Sequence, residues 1–155
     1  MMMKSFVLYS KQRKNPHILK TDDNIPFARF VRVKQIKPQM GGNVWVGDPF
    51  RGISDVVILP DTVAENTDVR FCWKTHGLLM GKIEFSTEVT DPVKVRLSYK
   101  DANLNGIDES RIRIYKFDQN ENRWKLVGGR VDRIRKRVVG WINAGSSYAL
   151  ATELN

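Results

Sequence analysis

With 155 residues, 41% hydrophobic and 28% charged side chains, the chain has the balance of a folded domain, which excludes the disordered and fibrous classes. A chain of this size buries roughly two-thirds of its unfolded surface without staples, and no apolar run reaches the ~20 residues of a membrane-spanning helix. The formal net charge of +9 favours contact with anionic surfaces without naming one.

Residues 1–24 read as irregular and basic. Lys4, Lys11, Arg13, Lys14 and Lys20 precede the first acid, Asp22. Residues 1–26 are expected to be a basic arm or, through SFVLYS, an edge strand, with the folded domain spanning 27–155. The apolar patch FVL is too short for the core of a secretory signal, so the expectation is cytoplasmic by default, unless the chain is an excised fragment.

From Phe27 the pattern is β. RFVRVKQIK alternates imperfectly and leaves its inner face open; Pro38 and Gly41-Gly42 then break the chain. NVWV, the turn cluster GDPFRG, DVVILP, TDVRFCW and GKIEFS follow. In PVKVRLSYK, Val93, Val95, Leu97 and Tyr99 fall on one face, with Lys94, Arg96, Ser98 and Lys100 on the other. RIRIYKF, RWKLVG, RVVGWI and SYALAT complete the series. No segment of helical length carries a 3.6-residue period. Short, turn-bounded strands at this spacing predict an all-β fold, an antiparallel β-sandwich of roughly 8–10 strands.

Residues 101–110, DANLNGIDES, open like a calcium loop of the EF-hand type. The stretch lies between strands rather than helices, and its twelfth position, where a bidentate acid belongs, is Ile112. A strand connection built on Gly106 and Asx turns explains the composition. Weak cation holding by Asp101, Asn103, Asn105 and Asp108 is the alternative.

Catalytic constellations are thin. Cys72 in VRFCWK reads as a packed thiol, and His17, Cys72 and His76 lack zinc-site spacing. No nucleophile elbow, phosphate loop or dinucleotide fingerprint is present, and the carboxylates occur in loop-like strings. Neither enzymatic activity nor a cofactor is expected.

The sharpest charged feature is RVDRIRKRVV, where Arg130, Arg133, Arg135, Lys136 and Arg137 crowd a predicted hairpin beside Trp124 and Trp141. Such a ribbon can neutralise phosphates while tryptophans stack on bases. The favoured reading is a solvated turn with both tryptophans anchored in the core, its cations offered to an acidic partner.

The order of GGNVWV, VVILPDTVAENTDVRFCW, GKIEFSTEVTDPVKVRLSYKDANLNGIDESRIRIYKFDQNENRWKLVGGRVD and SSYALA resembles the ZU-type β-sandwich domain of zonula-occludens proteins, netrin receptors and ankyrins, over about residues 41–152. The resemblance implies an antiparallel sandwich used in protein interaction or domain linkage. Some relatives cut their own backbone at His-Phe-Ser before the last strand. Here Ala144, Gly145 and Ser146 occupy those positions, so the hydroxyl is kept and the base is lost.

The leading expectation is therefore a non-enzymatic module for protein–protein contact or domain spacing in a larger assembly, with sheet edges as one docking route. The alternative is a nucleic-acid-binding β-domain using the basic arm and the 130–137 hairpin. A carbohydrate- or calcium-binding surface module ranks third.

Overall fold

The computed structural model describes residues 16–22 and 29–153, apart from the side chains of residues 75 and 76. Among the described residues twelve strands are formed: β1 (His17–Ile18), β2 (Arg29–Ile36), β3 (Gly42–Asp48), β4 (Gly52–Ile58), β5 (Thr67–His76) and β6 (Leu78–Phe85), then β7 (Val93–Ser98), β8 (Arg113–Asp118), β9 (Arg123–Gly128), β10 (Arg130–Asp132), β11 (Arg137–Ile142) and β12 (Ser146–Thr152). The only helical element among the described residues is one 3₁₀ turn, Glu109–Arg111. The all-β expectation holds.

The strands form two antiparallel sheets. One runs β2-β5-β6-β12-β8-β9 with β1 added on β12; the other runs β10-β11-β7-β4-β3. Alternation decides which side chains enter the space between them. β7 is the clearest case: Val93, Val95, Leu97 and the following Tyr99 are all buried. They meet Val44, Val56 and Val138 from their own sheet, and Phe71, Trp73, Ile83, Ile114 and Leu150 from the facing one, in one continuous core.

Two features were not legible in the sequence. First, His17–Ile18 pair with the end of β12, and Leu19 continues the ladder by donating its amide to Leu150 and accepting from Leu79, at 2.9 Å each. Leu19 is buried in the core, so this stretch is part of the sandwich. SFVLYS, the candidate edge strand, lies outside the described residues. Second, β2 places Phe30 and Ile36 inward but carries Arg32 and Lys34 on the same side. These cations reach β3, the edge of the other sheet: Lys34 Nζ donates to the Asn43 carbonyl at 3.3 Å. A charge pointing inward from an edge strand blocks further strand pairing. The β2 and β3 edges are therefore less open than expected.

On the opposite side the chain passes from β9 to β10 through Gly128 and Gly129, at φ 111° and 114°. A Cβ on Gly129 would stand 2.8 Å from Val138 Cγ1, so the bend needs glycine for both its angle and its closeness.

The 101–110 stretch connects β7 to β8 and thus carries the chain from one sheet to the other, as a strand connection should. It docks on the N-terminal segment: Asn103 donates its amide to Lys20 at 2.7 Å, and Asp22 donates to Asp101 at 3.3 Å.

Candidate binding surface

The register of the five-stranded sheet brings scattered residues onto its outer face. One row reads Trp141, Lys94, Val57 and Asn43 across β11, β7, β4 and β3. The next reads Arg130, Val139, Arg96, Asp55 and Trp45. Trp45 is 41% and Trp141 53% exposed. They stand about 15 Å apart, three strand spacings across the sheet and two residues along it.

Trp141 was expected to be a core anchor, and the structure corrects this. In β11 the inward positions are Val138, Gly140 and Ile142, which leaves Val139 and Trp141 facing outward. Gly140 takes the inward position by this alternation, and Ile114 packs so close that a Cβ there would lie 2.8 Å from its Cδ1. Trp124 is also only partly buried, edge-on to Phe117 with ring centroids 5.3 Å apart.

Between the tryptophans, Arg96 clamps Asp55 with two N–H groups, Nε to Oδ1 at 2.6 Å and Nη2 to Oδ2. Asn43 Nδ2 adds a third donor to Oδ2 at 3.2 Å. The Asp55 carboxylate is thereby satisfied although nearly buried. Arg32 lies 4.3 Å from the Trp45 ring centroid, a cation–π contact that joins β2 to the face and fixes the indole plane. The charge left on this face is positive, from Arg32, Lys34, Lys94 and Arg130.

The basic hairpin forms at its expected place, with Val131 opposite Val138 and Asp132 opposite Arg137. Most of its cations are answered by carboxylates. Asp132 accepts from the Arg135 amide at 3.1 Å and lies 3.5 Å from Arg135 Nη1 and 3.7 Å from Arg137 Nε. Glu109, brought in by the 3₁₀ turn, meets Lys136 Nζ at 2.7 Å and Arg133 Nε at 3.4 Å, and accepts from the Tyr99 hydroxyl at 3.1 Å. The Lys136 hydrogen bond, then that of Tyr99, holds the Glu109 carboxyl below the usual carboxylate range. Burial, seconded by Glu109, pushes the Tyr99 hydroxyl well up. Among the described residues, Arg130 alone of the five has no carboxylate partner.

The candidate cation ligands are turned to local work. Asn103 Oδ1 accepts from the Asn105 amide at 3.0 Å, and Asp108 Oδ1 takes the Ser110 amide at 3.0 Å and hydroxyl at 2.6 Å, capping the 3₁₀ turn. Asp101 is buried, and Ile112 belongs to the core. No group of three His, Cys, Asp or Glu among the described residues is arranged for a metal ion.

Cys72 is buried, with Arg29 Nε donating to its sulfur at 3.3 Å. His17 is paired to the end of β12, and the His76 side chain lies outside the described residues. Ser146 donates to the Phe117 carbonyl at 3.2 Å, and Tyr148 donates to the Ala144 carbonyl at 2.5 Å. Ser146 opens β12 while His17 pairs near its end, about 20 Å along the strand. Beside Ser146 an open cleft of about 750 Å³ is lined by Lys82, Glu84, Lys116, Asp118 and Lys125. Three ion pairs fill its rim: Lys82–Glu84 at 2.8 Å, Lys125–Asp118 at 2.8 Å and Lys125–Glu121 at 3.2 Å.

Sequence reading missed Trp45 and Arg32 as surface residues and Asp55 as the buried acid beneath them. The alternation of β7 did place Lys94 and Arg96 on a solvated face; adding NVWV to that face needed the register. Comparison with protein-family models, curated proteins and solved structures finds no match.

Proposed function

We propose that the chain is a non-enzymatic β-sandwich module, of the kind the ZU-type domain represents, that binds an acidic protein partner or spaces neighbouring domains through such contacts. One observation carries the reading: Trp45 and Trp141 stand exposed on a single sheet face, with Arg32 stacked on the first and Lys94, Arg96 and Arg130 between or beside them. Tryptophan and arginine are the side chains that most often dominate protein interfaces, because each combines a large rigid area with a directional polar edge. The surrounding positive charge would steer an acidic partner and reject a basic one. The ZU-type likeness belongs to this proposal and rests on the order of the sequence motifs together with the antiparallel sandwich.

The face is favoured over the β2 and β3 edges as the docking surface because Lys34 bridges them. The placement of Ser146 and the local use of Asn103 and Asp108 support the non-enzymatic part of the reading.

A second reading, single-stranded nucleic acid on the same face, is favoured by the outward Trp141 and the unanswered Arg130. Against it, Asp132 and Glu109 return much of the hairpin's charge. Titration of the purified protein with polyglutamate and with a single-stranded oligonucleotide, at low and at physiological salt, separates the two. The proposal expects Trp45- and Trp141-dependent binding of polyglutamate. Tighter binding of the oligonucleotide, with a steep salt slope and loss on Trp141→Ala, would replace it with the nucleic-acid reading.

A further inference from the structure

The two most exposed large hydrophobic residues among those described are Ile134 at 94% and Phe50 at 87%. Each occupies the tip of a hairpin, Ile134 between β10 and β11 and Phe50 between β3 and β4. The register places both tips at the same end of the five-stranded sheet. Arg137 pairs with Ser98 on β7, and Gly52, which opens β4, lies against Ser98 and Lys100. The tips are thus about 15 Å apart, three strand spacings across the sheet.

Turn chemistry does not ask for an apolar residue at either tip. Asp48 Oδ1 holds the first turn by accepting from the amides of Phe50 and Arg51, at 2.9 and 2.8 Å. Asp132 and the left-handed Lys136, at φ 54°, hold the second. Any polar residue would serve at positions 50 and 134 and would avoid an exposed apolar surface.

The charges around the tips are layered. Arg133 and Arg135 are 70% and 68% exposed, whereas their carboxylate partners Glu109 and Asp132 are 14% and 24% exposed. Lys100, between the tips, is exposed and donates to the Pro49 carbonyl at 2.6 Å. The two arginines stand forward of the acids that pair with them. Asp108, exposed near Arg133, offsets part of this charge, and an approaching surface meets the arginines, Lys100 and two apolar prongs.

We infer that this end of the sandwich docks onto an anionic lipid surface. Phe50 and Ile134 enter the boundary between headgroups and acyl chains, and Lys100, Arg133 and Arg135 face the lipid phosphates. Apolar prongs distinguish a lipid surface from a nucleic-acid backbone, which offers no hydrocarbon to receive them. Two shallow insertions plus a few cations make a reversible peripheral contact, since neither signal is sufficient alone. The contact leaves the tryptophan face of the sheet free, so it is independent of the partner proposed above.

The test is co-sedimentation of the full chain with phosphatidylcholine vesicles, with and without phosphatidylserine. Three proteins are compared: the wild type, F50S/I134S and R133S/R135S, each with its fold checked by circular dichroism and melting temperature. The wild type is expected on the phosphatidylserine vesicles and not on phosphatidylcholine alone. F50S/I134S should lose roughly tenfold or more in partitioning with an unchanged melting temperature, and R133S/R135S should lose a comparable factor. Absence of the wild type from phosphatidylserine vesicles would overturn the inference. So would binding that F50S/I134S leaves intact, because charge alone would then explain it.

Discussion

Arg96 grips Asp55 across neighbouring strands with two parallel N–H···O contacts, on the outer face of the five-stranded sheet and between its two exposed tryptophans. Asn43 completes the carboxylate's partners from the next strand. The ion pair and the Asn43 hydrogen bond thus tie β7, β4 and β3 together beneath the candidate binding surface.

Removing Asp55 leaves a partly buried Arg96 without its carboxylate, and removing Arg96 leaves the buried Asp55 carboxylate with Asn43 as its side-chain donor. Asp55→Ala is expected to cost about 1–3 kcal/mol, less than a deeply buried pair because Arg96 keeps some contact with water. Urea denaturation of both single variants and the double variant checks this. The double should be less destabilised than the sum of the singles.

The two kinds of tryptophan should part company in stability. Trp73 is buried in the core, and Trp73→Ala is expected to cost about 3–5 kcal/mol. Trp141→Ala removes an outward, half-exposed ring and should cost about 1 kcal/mol or less. Melting curves of the two variants measure the contrast; equal losses would mean that Trp141 is a core residue after all.

Glu109 gives the fold an acid limit. Its carboxyl titrates lower in the folded chain than in the unfolded one, mainly through Lys136. The stability it contributes is therefore present above the unfolded value of about 4.3 and lost as pH falls through the lower folded value. Tyr99 sets the opposite limit: its hydroxyl is raised, so that contribution is present below about pH 10 and lost as pH rises beyond it. Chemical denaturation across pH should show both losses, Glu109→Gln flattening the acid limb and Tyr99→Phe the alkaline one.

Glycine at the bend between the sheets is expected to be harder to replace than glycine in an open turn. Gly129→Ala forces both a left-handed angle and a 2.8 Å approach to Val138, for about 2 kcal/mol or more. Gly106, at φ 75°, has nothing within 4 Å of the added methyl, so Gly106→Ala should cost only about 1 kcal/mol. Denaturation midpoints compare them.

Where hydrophobic residues alternate with charges, as in β7, both the strand and its buried face were legible, because only one face can be apolar. In RVVGWI apolar residues lie on both sides, so alternation gives no sign of direction. In the fold Val138, Gly140 and Ile142 face inward, with Ile114 packed into the space that glycine leaves, and Trp141 faces outward. β2 hid its inner face for the opposite reason, since Arg32 and Lys34 share the side of its core residues to reach the other sheet. The hairpin's basic cluster was visible, but Glu109, which answers two of its cations, stands 27 residues before Lys136 and arrives only through the fold. The two-residue β1 was too short to carry any pattern.

The most direct test of the central claim is affinity capture from extract, with and without nuclease treatment, using three baits: the wild type, W45A/W141A, and a control altered at the far cleft, Lys116→Ser. The account expects a protein held by the wild type and the control and lost by W45A/W141A, with reconstituted affinity for that purified partner falling about tenfold or more. A partner retained by W45A/W141A, or retention that disappears once nucleic acid is removed, would contradict it.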